Sequence, residues 1–304
     1  MKQAILSLFT ETSLHAGTGQ MTGVIDLPIQ RESHTDWPCV YGSAVKGAMR
    51  MLADNRIEKD LVEEIFGPEE GNEYAGSIAV SDARLLLLPI RSLTGYFKWV
   101  TCPALLERLQ KDYKRLGIDN NFLNRELNIP DDEHAFVSEN MNREGDLFLE
   151  EFRFQTTAIN LQEVIDSIAQ LMNNCQNNLH QQLVIVNNDI FSHLARYATP
   201  VNAHIRIDNK TKIVKPGALW YEETLPTDSL LYTTVIAFNS RKGAANAKKD
   251  KPDNPQNVSK PKSADNILQH VLDLFKEYPY LQLGGNETVG MGWCNVKPIL
   301  EEEK

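Results

Sequence analysis

SLHAGTGQMTGVIDLPIQRESHTDWPCVYGSAVKGAMR, residues 13–50, passes from a Gly- and Thr-rich loop to the entry of a helix at Gly42. On the way it carries one acid, Asp26, inside the apolar run Val24 to Ile29. Val45, Ala48, Met49 and Leu52 recur at helical spacing, so the chain from Gly42 to about Arg56 reads as a helix that Ser43 is placed to cap. Lys46 and Arg50 lie four apart, on one face and clear of most of that apolar stripe. Before the loop, QAILSLF (3–9) alternates as a strand does. A lone carboxylate and a cationic helix start, joined by a long loop, suggest a site that holds an anion and cuts it.

Working outward, SIAVSDARLLLLPI (77–90) is strand-like, and residues 103–117 read as a helix opened by Pro103 and stopped by Gly117. Residues 118–150 are polar and acidic and read as an irregular insertion. Helices are expected at 160–173 and 187–197, the second with Asn188 and Asp189 as caps. AHIRIDNKTKIVK (203–215) reads as a β-hairpin with a basic surface, bent at Asp208-Asn209-Lys210-Thr211. SLLYTTVIAFN (229–239) is rich in β-branched and aromatic residues and predicts a strand. A helix follows at 264–278, capped by Ser263 or Asp265, then the glycine-rich LQLGGNETVGMGW (281–293) and a last strand. Strand, helix, strands, helix, strand is an α+β order: a ferredoxin-like or RNA-recognition-type core with helical insertions.

At 304 residues the chain is long enough for one large domain with insertions or for two smaller ones, and no apolar run is long enough to span a membrane. The opening MKQAILSLFTETS is too short and polar for a signal peptide, so the cytoplasm is the expected location. Cys39, Cys102, Cys175 and Cys294 form no CxxC pair, and the seven histidines form no HxH or HExxH pattern. Free thiols are expected, and no preorganised transition-metal site. The net charge of −10 is segregated. Residues 58–73 carry a net −6 and 131–151 a net −7, whereas 240–263 carry seven Lys or Arg against two Asp. Basic patches on an acidic chain fit an RNA groove on one face.

Taken together, LHAGTG, GVIDLPIQRE and GSAVKGAMR near the start, RYATPVNAHIRIDNKTKIVKPGALWYEETLP at 196–226 and LQLGGNETVGMGW near the end resemble the RAMP superfamily. More narrowly, they resemble the repeated backbone subunit of the type III-B CRISPR (Cmr) effector complex. Any one of these segments is a weak signal; several in the same order at matching distances are a strong one. The resemblance implies a single RAMP domain over 1–304, with core elements at about 1–117 and 229–304, an insertion at about 118–200 and a thumb-like hairpin at about 201–220. It implies a subunit that stacks into a filament along guide RNA, beside other Cmr subunits, and cleaves the target RNA paired with the guide. It places Asp26 on the catalytic-loop aspartate and Ser43, Lys46 and Arg50 on the helix that contacts guide phosphates. The 284–292 turn falls on the superfamily's glycine-rich loop.

Chemistry beside the resemblance weighs each residue. A carboxylate at Asp26 can bind a divalent ion (Mg or Mn, loosely held) beside a scissile phosphate, or orient a 2′-hydroxyl for attack. Read without the resemblance, Asp26 is better taken as a turn residue. His15 can bind phosphate or serve as a base, and phosphate binding is the favoured reading. Glu222 or Glu223 can add a carboxylate, with a solvated acidic turn expected for at least one of them. Arg206, Lys210 and Lys212 can follow a phosphate backbone while Ile205 or Ile207 wedges. Gly284, Gly285, Gly290 and Gly292 can bring main-chain amides to phosphate or serve as turn residues of positive φ. The lysine-rich 240–263 segment reads equally as an RNA contact or as a solvated loop, and Trp and Tyr are expected in the core. The competing readings are a filament subunit that binds guide RNA without cleaving, and a guide-processing ribonuclease with a catalytic His.

Overall fold

The computed structural model describes residues 1–69, 74–93, 95–118, 120–124, 126–141, 146–172, 176–242 and 262–300. Cys175 and most of the lysine-rich segment, 243–261, lie outside them.

Four strands form the centre: β1 (Lys2–Thr10), β4 (Ala83–Arg91), β12 (Leu230–Ala237) and β14 (Trp293–Leu300). They line up as β14-β1-β12-β4, each neighbour antiparallel. A helix follows the first of them, α1 (Gly42–Asp54), and another follows the third, α7 (Ala264–Asp273). That is the α+β arrangement expected from the element order. The right-handed crossover rule puts both helices on one face. Two short strands, β2 (Cys39–Val40) and β3 (Ile78–Val80), pair with β4 and β12.

β4 explains why its sequence is an unbroken apolar run. Leu85, Leu86, Leu87 and Leu88 are all buried, as in a strand covered on both faces. The second cover is α3 (Pro103–Arg115), which packs on β4, with α4 (Gln162–Leu171) on β14 of the same sheet. Tyr232 on β12 donates its hydroxyl to Asp112 of α3, 2.9 Å, and Asp112 also pairs with Arg84 of β4, 2.9 Å. Burial, then the Asp112 charge, raises the Tyr232 phenol far above its ordinary range.

The segment expected as an irregular insertion prolongs the same sheet. From β4 it continues through β5 (Phe97–Thr101), β9 (Leu183–Ile185), β6 (His134–Ser138), β8 (Phe152–Ile159) and β7 (Leu147–Leu149). Between them run α5 (Gln176–Gln182) and α6 (Asn188–Tyr197). The cap of α6 is Asn187, whose side chain accepts from the Ile190 amide at 2.8 Å, rather than Asn188 or Asp189. Ser263 caps α7 as expected, accepting from the Asn266 amide. At α1 the expected Ser43 cap is absent: Tyr41 precedes the helix without a side-chain cap, and Asp82 accepts from the Gly42 amide at 2.7 Å. A second short helix, α2 (Lys59–Phe66), packs on α1.

The basic hairpin, β10 (Val201–Ile207) and β11 (Val214–Glu223), forms its own two-stranded sheet with the bend where the sequence predicted it. Its face with Val201, Ile205, Ile207, Leu219 and Tyr221 is exposed. Trp37, Trp99, Tyr113 and Tyr232 are core residues, but the aromatic expectation fails elsewhere. Trp220 stacks on His204 on the hairpin, ring centroids 5.5 Å apart, and Tyr96, Tyr197 and Tyr278 are exposed.

Candidate functional site

Three segments distant in sequence meet at the foot of the hairpin: the loop after β1, the end of β11 and the glycine-rich turn before β14. Main-chain bonds stitch the loop to the hairpin. Leu27 donates to the Tyr221 carbonyl and Glu223 to that of Leu27, both at 3.0 Å, and Leu14 and Leu225 exchange a bonded pair. The turn joins through the Gly285 amide, 2.8 Å from the His15 carbonyl.

Glycine makes that junction possible. Gly284 has φ +77°, and a Cβ there would strike the His15 carbonyl; Gly292 has φ +82° and would strike that of Leu283. A Cβ on Gly17 would lie 2.6 Å from His15 Nε2. The His15 imidazole therefore packs against glycine backbone, with Gly17 beside Nε2 and Gly285 beside Cδ2. The amides of Gly285, Gly290 and Gly292 donate to His15, Glu287 and Ser13. Of the two readings offered for these glycines, the structure supports turn and close-approach residues, and those three amides are not free for phosphate.

His15 is buried, and its Nδ1 lies 2.7 Å from the Glu223 carbonyl. An acceptor there fixes the neutral tautomer with the proton on Nδ1, leaving a lone pair on Nε2. Asp26 is half-buried. Its Oδ2 accepts from the Tyr221 amide at 2.8 Å, and among the described residues Oδ1 has no hydrogen-bond partner. One oxygen is fixed by the backbone while the other is free to act. Beyond it the loop tip is exposed at Met21 and Val24.

Glu222 and Glu223 are both buried, at 4% and 2% exposure, so the expected solvated acidic turn does not exist. Glu222 accepts from Asn286 Nδ2 at 2.5 Å. Asn286 itself holds a left-handed backbone, φ 63°. Glu223 is saturated: Oε1 accepts from Arg31 Nη2 (2.5 Å) and Thr199 Oγ1 (2.6 Å), and Oε2 from the Ile29 amide (3.1 Å). It clamps the loop rather than offering a free ligand. Sequence reading missed Arg31, Thr199 and Asn286. Only Asn286, in a glycine-rich turn, carried a local signal.

On α1, Lys46 and Arg50 are half-buried and reach the connection between α2 and β3. Lys46 Nζ lies 3.4 Å from the Ile78 carbonyl and Arg50 Nη1 2.6 Å from that of Gly67. Burial, then the charges of Arg50 and Arg241, holds Lys46 below the ordinary lysine range. Asp82 occupies the helix start. Ser43 is exposed, and beside Gly47 there is open space. Arg206, Lys210 and Lys212 are exposed on the hairpin, with Lys212 at φ 59° in the bend.

Among the described residues no three His, Cys, Asp or Glu side chains gather as a metal site. Burial pushes the Cys39, Cys102 and Cys294 thiols to about 12. The donor set at the site is one open carboxylate oxygen, too few for a resident ion. It does suit an ion shared with phosphate oxygens, since Mg is commonly held by one or two carboxylates plus substrate phosphate.

The RAMP superfamily model matches residues 8–295. The chain belongs to the RAMP superfamily. Among curated RAMP relatives, CRISPR system Cmr endoribonuclease Cmr4 of Pyrococcus furiosus is 32% identical, covering 97% of this chain and 95% of its own. CRISPR system CMR subunit Cmr4 of Saccharolobus solfataricus is 25% identical, over 93% and 94%. The crystal structure of oligomeric Cmr4 from Pyrococcus furiosus superposes with a TM-score of 0.73 at 27% identity over the whole of both chains. A chain of the type III-B Cmr-beta complex bound to cognate target RNA shares the fold, with a TM-score of 0.72 at 21% identity over 98% and 97%. Among the described residues no helix is long and apolar enough to cross a membrane.

Proposed function

We propose that this chain is the repeated backbone subunit of a type III-B CRISPR (Cmr) ribonucleoprotein, an endoribonuclease that cuts target RNA paired with guide RNA. Its partners are the guide RNA, single-stranded target RNA, further copies of itself in a filament and other Cmr subunits, in the cytoplasm. The observation that carries the reading is Asp26: pinned by one oxygen to the Tyr221 amide at the foot of an exposed basic hairpin, open at the other. Full-length similarity to a Cmr endoribonuclease supports it.

Asp26 Oδ1 faces the attacking 2′-hydroxyl or the phosphate beside it and orients that group. His15 Nε2, held beside Gly17, faces the RNA backbone and contacts it at the phosphate or the adjoining hydroxyl. Glu222 keeps the glycine turn against the hairpin through Asn286. Lys46 and Arg50 on one side, and Arg206, Lys210 and Lys212 on the other, hold phosphates without reading sequence, because the guide supplies the sequence by pairing. A loosely held Mg or Mn ion at Asp26 would supply charge stabilisation of the scissile phosphate.

Asp26→Asn in a reconstituted complex tests this. Guide and target binding should persist while target cleavage is lost. Cleavage at the wild-type rate would refute the catalytic assignment. Intact assembly with a wild-type complex that never cuts would instead favour a guide-binding filament subunit. Chelation of divalent ions should stop cleavage and spare assembly.

A further inference from the structure

Seven of the eleven described arginines stand within salt-bridge distance of a carboxylate. Arg50 and Arg241 are among those that do not, and they converge. Gly67 and Gly76, at the two ends of the connection after α2, approach so closely that a Cβ on Gly67 would lie 3.2 Å from the Gly76 amide nitrogen. A Cβ on Gly76 would overlap the backbone of Phe66. Each of these two glycines offers its carbonyl to an arginine. Arg50 donates to Gly67 and Arg241 to Gly76, at 3.4 Å for the latter, and Lys46 reaches Ile78, two residues on. The Arg241 guanidinium is further fixed over the Phe238 ring, 5.1 Å from its centroid.

Three cations are thus docked on one stretch of backbone without an acid among the described residues to balance them. Two carboxylates of α2 are already paired, Glu64 with Lys262 at 2.7 Å and Asp60 with Lys242 at 3.2 Å. Carbonyl dipoles orient the cations but cannot neutralise them, so the cluster carries standing like-charge repulsion. Such a cluster is stable when an anion completes it. Space for one exists beside α1, where Gly47 has no atom within 4 Å of its would-be Cβ.

We propose that Lys46, Arg50 and Arg241 form a single three-cation site for an RNA phosphodiester, with Arg241 as a member in its own right. The proposal deepens the functional reading above and rests on it for the identity of the anion. In sequence Arg241 belongs to the lysine-rich stretch 240–263, nearly two hundred residues from α1. The structure ties it to α1 through the paired glycines.

Two measurements on the full chain test the site. Thermal melting without RNA separates a ligand role from a structural one. Arg241→Gln should leave the melting temperature unchanged or raise it, because one like charge is removed, whereas a structural tie to Gly76 would lower it. Pyrophosphate should raise the wild-type melting temperature and shift Arg241→Gln less. Equal shifts overturn the site. In the second, binding of labelled single-stranded RNA is followed across a salt series. Arg241→Gln should weaken binding alike for all sequences and flatten the log K against log salt slope by about 0.7, one phosphate contact. Adding Arg50→Gln should flatten it by less than the two single changes summed, because both serve one phosphate.

A wild-type slope in Arg241→Gln while Lys46→Gln and Arg50→Gln are flattened removes Arg241 from the site and overturns the proposal. So does an unchanged slope accompanied by loss of self-association on gel filtration, which would identify the anion as a carboxylate of another copy. If pyrophosphate passes its test and wild-type protein shows no salt-dependent RNA affinity, the functional reading fails and the phosphodiester assignment with it, leaving a bare anion site.

Discussion

Glu223→Ala should destabilise the protein by about 3 kcal/mol, and the value follows from what the side chain holds. Its carboxylate is 2% exposed and the Arg31 guanidinium 15%. Truncation leaves that guanidinium without its charge partner and strips acceptors from Thr199 and the Ile29 amide. Removing one partner of a buried ion pair costs about 3–5 kcal/mol. The low end applies because Arg31 keeps the Asp36 and Ala195 carbonyls, at 2.8 and 2.9 Å. With an unfolding entropy of about 2.1 cal/mol/K per residue over 304 residues, 3 kcal/mol lowers the melting temperature by about 5 °C. Glu222→Ala, which loses the one bond to Asn286, should cost about 1 kcal/mol, less than about 2 °C. Differential scanning calorimetry of both variants decides the matter. If Glu222→Ala is the more damaging, or Glu223→Ala shifts the transition by under about 1 °C, Glu223 is not the clamp of the loop.

The glycine turn offers an internal control. Gly284→Ala combines a left-handed backbone with a collision at the His15 carbonyl, while Gly290→Ala, at φ +84°, meets nothing within 4 Å. Gly290→Ala should cost about 1–2 kcal/mol from backbone handedness alone and Gly284→Ala clearly more, measured as urea midpoints; equal costs would remove the steric argument. The hairpin bend should loosen only in acid. The Asp208 carboxylate accepts from the amides of Thr211 and Lys210, which hold it below its ordinary value of 3.8. A depressed folded value stabilises the bend above pH 3.8, and the contribution fades as pH falls through the lower folded value. NMR shifts of the Lys210 and Thr211 amides should titrate in that window and become flat in Asp208→Asn. A titration midpoint above 3.8 would contradict the bond pattern.

Elements whose signal is local were readable from the sequence. β1, α1, α3, α4, the hairpin, β12 and α7 carry period-2 or period-3.6 patterns, and their ends agree with the structure to within a few residues. The strands lost to the supposed insertion had no such support. β9 is only Leu183–Ile185, and β6 lies in the most acidic stretch of the chain. Each is a strand because neighbours from elsewhere pair with it. The Ser43 cap failed for a related reason: Asp82, forty residues on, reached the Gly42 amide first. At the site, His15 came from the chemistry of its imidazole and Asp26 from the resemblance, since local chemistry alone would not have chosen Asp26. The partnership of Glu223 with Arg31, 192 positions apart, leaves no trace in either neighbourhood.

Burial assigns the acids of the site to different work. Glu223 has every oxygen engaged and no solvent access, so its charge is spent on holding the loop and cannot follow a proton or a phosphate. Asp26, on the same loop, is anchored through one oxygen and open at the other, the condition for a group that must change partners during a reaction. The two depend on each other. A loop lacking the clamp would let Asp26 wander from the Tyr221 amide, and loss of position alone can cost a hundredfold in rate. Glu223→Gln, which keeps the shape and one acceptor but drops the charge, should therefore lower cleavage while leaving RNA affinity at the wild-type level. Asp26→Asn should abolish cleavage without moving the melting temperature by more than about 1 °C, because the amide oxygen still accepts from Tyr221. Destabilisation by Asp26→Asn as large as that by Glu223→Ala would mean that Asp26 is structural and that the division by burial is wrong.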